Sequence, residues 1–183
     1  SIPNARIGII NLDAHLDLRT PAPHTSSGTP FYQINELLKA HNQSFHYACV
    51  GVSDTANTPA LFKRAEQLGV KCIYDTEFSD LTIEKIIADL NVWSRDCDYL
   101  YLTVDLDVLP AATMPGVSAV NGFGVELRWI EKLVSFFAAD PRIRIFDLAE
   151  LNPSYDIDHR SAKVAARLIH RFTQVKFGRR SAT

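Results

Sequence analysis

Asp13, His15 and Asp17 stand at alternate positions in Asn11-Leu12-Asp13-Ala14-His15-Leu16-Asp17, directly after the apolar run Ile7-Gly8-Ile9-Ile10. Alternate side chains of an extended chain point the same way. Two carboxylates and an imidazole can therefore converge where a strand ends. A packed core resists such convergence, because unpaired buried carboxylates are costly. A divalent cation requires it. A second acidic element, Thr103-Val104-Asp105-Leu106-Asp107, closes another apolar stretch and again sets two carboxylates two apart, on one face of an extended end. A third, Asp147-Leu148-Ala149-Glu150-Leu151-Asn152-Pro153, closes the last such stretch.

Five ligand candidates follow: Asp13, His15, Asp17, Asp105 and Asp107. Four offer oxygen and one offers imidazole nitrogen, which suits Mn²⁺ or Mg²⁺ better than Zn²⁺. Four negative charges in one pocket repel strongly without a cation. They exceed the needs of one divalent ion, so two ions about 3.5–4 Å apart are expected. Each piece alone has a plainer reading. An isolated Asp at a strand end usually serves a turn or a cap. Asp105-Leu106-Asp107 alone equally fits a Mg²⁺-dependent phosphatase with Asp105 as nucleophile, or a sugar-nucleotide site. The triplet at 13, 15 and 17 is the stronger signal, because chance must place three polar residues in register. A third reading is a non-catalytic, metal-poor fragment.

The elements that must position these residues alternate along the chain. Strands are expected over Arg6–Leu12, Phe45–Val52, Val70–Tyr74, Tyr99–Leu106 and Ile143–Leu148. Several are apolar on both faces, as strands of a covered parallel sheet are. Helical spacing of apolar residues predicts helices over Phe31–His41, Thr58–Leu68, Thr82–Ser94, Glu126–Ala139 and Arg160–Phe172. Thr82 and Asp158 are placed to cap the last helix but two and the last helix. This alternation argues a mostly parallel, doubly wound α/β sheet in a single domain spanning 1–183. Two connections, Asp17–Pro30 and Leu109–Phe123, are longer than a crossover needs and rich in Gly, Pro, Ser and Thr. Both follow acidic strand ends, where open α/β sheets bind ligands.

The 183 residues suffice for one α/β core, and 46% apolar with 22% charged content is ordinary for a soluble protein. A formal charge of -2 gives no field to recruit nucleic acid or an anionic membrane. No apolar run reaches the roughly 20 residues that span a bilayer. Ser1-Ile2-Pro3-Asn4 lacks the start of a signal peptide. Cys49, Cys72 and Cys97 sit in apolar runs without a Cys-x-x-Cys pair, as free buried thiols of a reducing cytoplasm do.

The motifs together resemble a known superfamily. Asn11–Arg19 resembles the Asp-Ala-His-x-Asp motif of the ureohydrolases, the arginase–agmatinase superfamily. Thr103–Asp107 with Pro115-Gly116-Val117 resembles its second metal motif, and Asp147–Pro153 its substrate-side motif. The likeness runs in order over nearly the whole chain. Leu16-Asp17-Leu18-Arg19 and Ser26-Ser27-Gly28-Thr29-Pro30-Phe31 look most like the formimidoylglutamase branch.

The resemblance implies a three-layer arginase-like fold and two Mn²⁺ ions. By motif match, Asp13 and Asp105 would be shared by both ions, His15 and Asp107 would complete one site, and Asp17 would belong to the other. Glu150 would face an amidine-type group, while Asp147 would support the ligands. The implied reaction is hydrolysis of N-formimidoyl-L-glutamate to L-glutamate and formamide, a step of histidine degradation. An agmatinase or guanidinobutyrase activity is the alternative. Phe31 stands where arginases carry a proton-shuttling His, which disfavours arginase itself. Arg19 follows the cluster by two residues and can pair bidentately with a glutamate-like carboxylate, or simply offset the acidic cluster. Asn57, Thr58 and Asn121 are loop polar groups within possible reach of such a small-molecule substrate. Family members often form symmetric homo-oligomers. They also carry a further metal-binding His in a Gly-rich upstream motif that nothing here matches. The chain thus resembles the C-terminal part of a longer enzyme, its sheet incomplete on the N-terminal side.

Overall fold

Five apolar runs form five strands: β1 (Ile7–Leu12), β2 (His46–Val52), β3 (Lys71–Tyr74), β4 (Tyr99–Asp105) and β5 (Ile143–Ala149). Five helices follow them in turn: α1 (Pro30–Ala40), α2 (Pro59–Gln67), α3 (Ile83–Trp93), α4 (Leu127–Ala138) and α5 (Arg160–Phe177). The computed structural model describes residues 5–178. Residues 1–4, read above for a signal-peptide start, lie outside them, as do 179–183.

The strands make one parallel sheet in the order β3-β2-β1-β4-β5. Alternation splits its side chains between two cores. Ile10, Leu12, Val50, Leu102 and Val104 face α3, α4 and α5, while Ile9, Tyr47 and Cys49 face Phe31 of α1 and Leu61 and Ala65 of α2. The expected covered, doubly wound sheet is therefore present. The order reverses between β1, which leads to β2 on one side, and β4 on its other side. Ligands bind beyond the carboxyl ends of strands at such a reversal. Register pairs Leu12 with Val104 and Asp105 with Ala149. Asp13, Asp105 and Glu150 thus leave the sheet side by side.

Cover is uneven. β5 is an edge strand with Ile145 57% exposed, and Ile7, Tyr99, Tyr101 and Ile145 line an open apolar groove on the sheet. No helix among the described residues is long and apolar enough to cross a membrane.

Some local expectations need correction. Asp105 and Asp107 do not share a face of an extended end. The chain turns into a single 3₁₀ turn over Leu106–Val108, and Asp105 accepts the Asp107 N–H at 3.0 Å. Thr82 precedes α3 without capping it, because its hydroxyl donates to the Glu77 carbonyl at 2.6 Å and accepts from the Ser79 N–H at 2.9 Å. Asp158 does not cap α5. Both Asp158 and His159 are left-handed, and Asp156 instead accepts the Ser161 and Ala162 N–H groups at 2.9 and 3.0 Å. α5 also runs beyond Phe172 to Phe177.

Candidate metal centre

The ligand loop begins where β1 ends at Leu12. Asp13 N–H still donates to Val50 of β2 at 2.9 Å, and Ser53 N–H returns a bond to Ala14 at 3.0 Å. Gly51 lets β2 pass this close. Its φ is +102°, and a Cβ there would lie 2.3 Å from Val108. The loop then turns sharply: Asp13 Oδ1 accepts the His15 N–H at 2.6 Å, and Asp17 takes a left-handed φ of 52°. Convergence therefore comes from a turn, where the sequence alone predicted simple strand alternation.

Asp13, His15 and Asp107 meet with one ligand atom of each within 4.8 Å of the others. His15 Nδ1 lies 3.0 Å from Asp107 Oδ2 and 3.5 Å from Asp13 Oδ1. His15, Asp17, Asp105, Asp107, Arg19, Asn57 and Glu150 line one cavity of about 160 Å³. Asp13, Asp17, Asp105 and Glu150 also border an adjoining cleft with Asn11, Phe31 and Asp147. All five expected ligands and Glu150 are thus brought to one place.

Its electrostatics call for positive charge. Burial, opposed by the hydrogen bond from His15, raises the Asp13 carboxyl to about 6. Burial and then repulsion from Asp13 raise Asp17 to about 8. Burial, then Asp13 and Asp107, raise Asp105 to about 10. Hydrogen bonds to Asp107 and Asp13 lift the His15 imidazole to about 11. Three carboxyls with raised proton affinity and an imidazole that holds its proton describe a pocket that favours positive charge. Asp107 Oδ1 is moreover buried with no hydrogen-bond partner among the described residues. An oxygen-rich donor set with an orphaned, buried carboxylate oxygen fits a hard divalent cation.

The remaining candidates divide. Glu150 has a left-handed φ of 66° and accepts a 2.8 Å hydrogen bond from the Ser118 hydroxyl. Arg19 is an exposed wall of the cavity, packed against Gly28, with its N–H bonded to the Gly28 carbonyl at 2.9 Å. Asn57 lines the cavity, but its amide is engaged with backbone. Its oxygen accepts from Leu16 N–H at 2.9 Å, and its nitrogen donates to Ala14 and Ser53 carbonyls at 2.9 Å each. Thr58 is spent on the N-terminus of α2, where its hydroxyl accepts from Leu61. Asn121 is buried and bonds Phe123 N–H at 3.0 Å. Asp147 accepts Tyr101 and Thr103 hydroxyls at 2.7 and 2.6 Å, which leaves it supporting β4. Phe31 stacks on Tyr47 with centroids 4.4 Å apart. Cys49 and Cys97 are buried free thiols, and Cys72 is partly buried.

Sequence reasoning missed Ser118, Asn11 and Tyr47. Ser118 lies in a long loop already singled out, but only the tertiary fold brings it to Glu150. Asn11 carried a readable signal: a polar residue inside an apolar strand, two before Asp13 and on the same face.

A family model described as Arginase family matches residues 2–174. The chain belongs to the arginase family. Formimidoylglutamase of Aeromonas salmonicida (strain A449) is 50% identical over 173 residues, covering 94% of this chain and 55% of that protein. The chain spans about half the length of the curated relatives it matches. The crystal structure of formimidoylglutamase from Bacillus subtilis superposes with a TM-score of 0.80 at 24% identity, over 97% of this chain and 55% of that one. Trypanosoma cruzi formiminoglutamase with Mn²⁺ gives 0.77 at 25% identity, over 90% of this chain and 55% of that one. These structures share the arginase fold with the five-stranded sheet and flanking helices described above.

Proposed function

We propose that this chain carries the metal-binding and substrate-binding half of a binuclear manganese hydrolase that converts N-formimidoyl-L-glutamate to L-glutamate and formamide. The observation that carries this reading is the convergence of Asp13, His15 and Asp107 beside Asp17 and Asp105, in a chain half identical to proteins named formimidoylglutamase. Asp13, His15, Asp17, Asp105 and Asp107 would together hold the ions. When bound, the ions supply Lewis acidity and activate water for attack on the amidine carbon. Their preference for manganese rests on the oxygen-rich donor set and on the Mn²⁺ in the Trypanosoma cruzi relative.

The protein's own groups would do the rest. Glu150, held by Ser118, faces the cavity as a carboxylate partner for the amidinium N–H groups and so orients the C–N bond to be cleaved. Arg19 stands on the wall of the same cavity, where its planar fork would take the carboxylate of the glutamate portion. Phe31, stacked on Tyr47, borders the adjoining cleft with a phenyl ring that offers no proton relay. Glu150 and Arg19 suit a carboxylate-bearing linear amidine, and the phenyl ring of Phe31 disfavours arginine. The family match leaves a phosphatase built on Asp105 without support.

The test is glutamate release from N-formimidoyl-L-glutamate by the full-length protein, with Mn²⁺ and with a chelator. Turnover that requires Mn²⁺ is expected. Hydrolysis of agmatine or guanidinobutyrate instead would overturn the substrate, and failure to bind Mn²⁺ at all would leave a non-catalytic fragment.

A further inference from the structure

Beneath the ligand loop lies a buried polar layer that the proposed reaction does not use. Asn11 is 2% exposed on β1, and Tyr47 is 1% exposed on β2. Asn11 Nδ2 donates to Asp13 Oδ2 at 2.8 Å and to the Tyr47 hydroxyl at 3.1 Å. The Tyr47 hydroxyl donates onward to the Leu16 carbonyl at 3.2 Å. The direction of every bond is fixed by chemistry. The amide oxygen of Asn11 cannot face a carboxylate, so its nitrogen must. Its two hydrogens serve the two acceptors, which leaves the phenol hydrogen for Leu16. Phe31 covers the ring of Tyr47 from one side and Phe45, at 5.4 Å, from another.

We infer that Asn11 and Tyr47 are positioning residues for the metal centre: together they fix the carboxylate plane of Asp13 and the backbone between His15 and Asp17. This inference rests on the reading of Asp13 as a metal ligand. Both oxygens of Asp13 are pinned, Oδ1 by the His15 N–H and Oδ2 by Asn11. Each keeps a further lone pair, which a metal-binding carboxylate needs. Leu16 separates His15 from Asp17, and the hydroxyl of Tyr47 holds the Leu16 carbonyl, in one of the two peptide units that set the spacing of those ligands. Cys49 adds a weaker bond to the His15 carbonyl, with Sγ at 3.1 Å. Loss of such outer groups commonly costs 10–100-fold in metal affinity.

The experiment is Mn²⁺ titration of the full-length protein by calorimetry, with free Mn²⁺ read by its paramagnetic resonance signal. Three variants are compared: Tyr47→Phe, Asn11→Leu and Phe45→Leu. Tyr47→Phe keeps the stacked ring and removes only the hydroxyl. Phe45→Leu loosens packing on that ring and leaves the hydrogen bonds intact. Mn²⁺ affinity is expected to fall about 10–100-fold in Tyr47→Phe and Asn11→Leu. It should stay within about threefold in Phe45→Leu, although all three lower the melting temperature of the metal-free form. Unchanged affinity in a folded Tyr47→Phe protein overturns the positioning role. An equal loss in Phe45→Leu overturns it too, because packing alone would then explain the effect. If the unsubstituted protein takes up no Mn²⁺, the metal-centre reading itself falls, and this inference with it.

Discussion

Metal uptake at pH 7 should expel about three protons. The perturbation is addition of Mn²⁺ to chelator-treated, full-length protein. The magnitude follows from the groups that hold protons in the metal-free cluster. Asp17 titrates at about 8, Asp105 at about 10 and His15 at about 11, whereas Asp13 titrates at about 6. At pH 7 the first of these is roughly nine-tenths protonated, the next two are almost wholly so, and Asp13 is mostly ionised. A ligand must shed its proton before it coordinates well, since an imidazolium has no free nitrogen lone pair and a neutral carboxyl lacks the charge that holds a divalent cation. Roughly three protons are therefore displaced when the cage fills, and apparent affinity should climb steeply between pH 6 and 8. The assay is calorimetry in several buffers of different ionisation enthalpy, in which the slope of observed heat against buffer enthalpy counts protons. The count should fall to about one, the share of Asp17, in an Asp105→Asn, His15→Ala double variant. Release of fewer than one proton would refute the reasoning, because the cluster would then be ionised and neutralised by some other means.

Three further outcomes follow from named contacts. The metal-free protein should lose stability as pH rises from 5 to 9. Asp13, Asp17 and Asp105 have raised folded pKa values, so their stabilisation is complete below about 4 and is lost as pH climbs through about 6, 8 and 10. His15, raised to about 11, acts in the same direction above its ordinary 6.5. Urea midpoints in chelator that rise over that range would contradict this. Gly51→Ala should destabilise by roughly 1–3 kcal/mol or more, because its φ of +102° and the 2.3 Å approach to Val108 exclude a Cβ; an unchanged thermal midpoint would count against it. Arg19→Ala should raise KM for N-formimidoyl-L-glutamate about 10–100-fold with kcat nearly kept, as loss of a charged hydrogen bond to the non-reacting end of a substrate does. A fall in kcat at constant KM would place Arg19 elsewhere in the reaction.

The fold was legible because every element announced itself in periodicity. Each of the five strands and five helices lies within a residue of its expected place at nearly every end, and α5 alone runs well past it. Apolar alternation and helical spacing report burial, and burial is what a doubly wound sheet distributes. The ligand set was legible for a different reason. Asp13, His15, Asp17, Asp105 and Asp107 are candidates because polar groups placed together at strand ends are costly to bury without a partner. The geometry of their convergence was not legible. A strand model puts Asp105 and Asp107 on one face, but the chain turns between them, because the Asp107 N–H finds the Asp105 carboxylate at 3.0 Å. Short polar side chains compete with strand bonding in this way, and periodicity does not register the competition. The same competition moved the cap of α5 from Asp158 to Asp156.

What the structure adds is the reason this crowded edge holds its shape. Asp17 and Glu150 are two of five non-glycine residues with positive φ among the described residues, and both face the cavity. Such backbone persists only where neighbours over-determine it. Here the neighbours can be named. Asn57 grips Ala14, Leu16 and Ser53 with one amide, and Asn11 and Tyr47 hold Asp13 and Leu16 from below. On the far side, the Asn152 N–H bonds Gly116 at 2.8 Å, which draws the Ser118 loop against Glu150. The hydrogen-bonded frame thus sets the positions of the backbone that carries Asp13, Asp17 and Glu150, while the ligand side chains would supply the charge that holds a cation. That division explains why residues with no affinity for metal, such as Asn11 and Tyr47, should govern how tightly the metal is held.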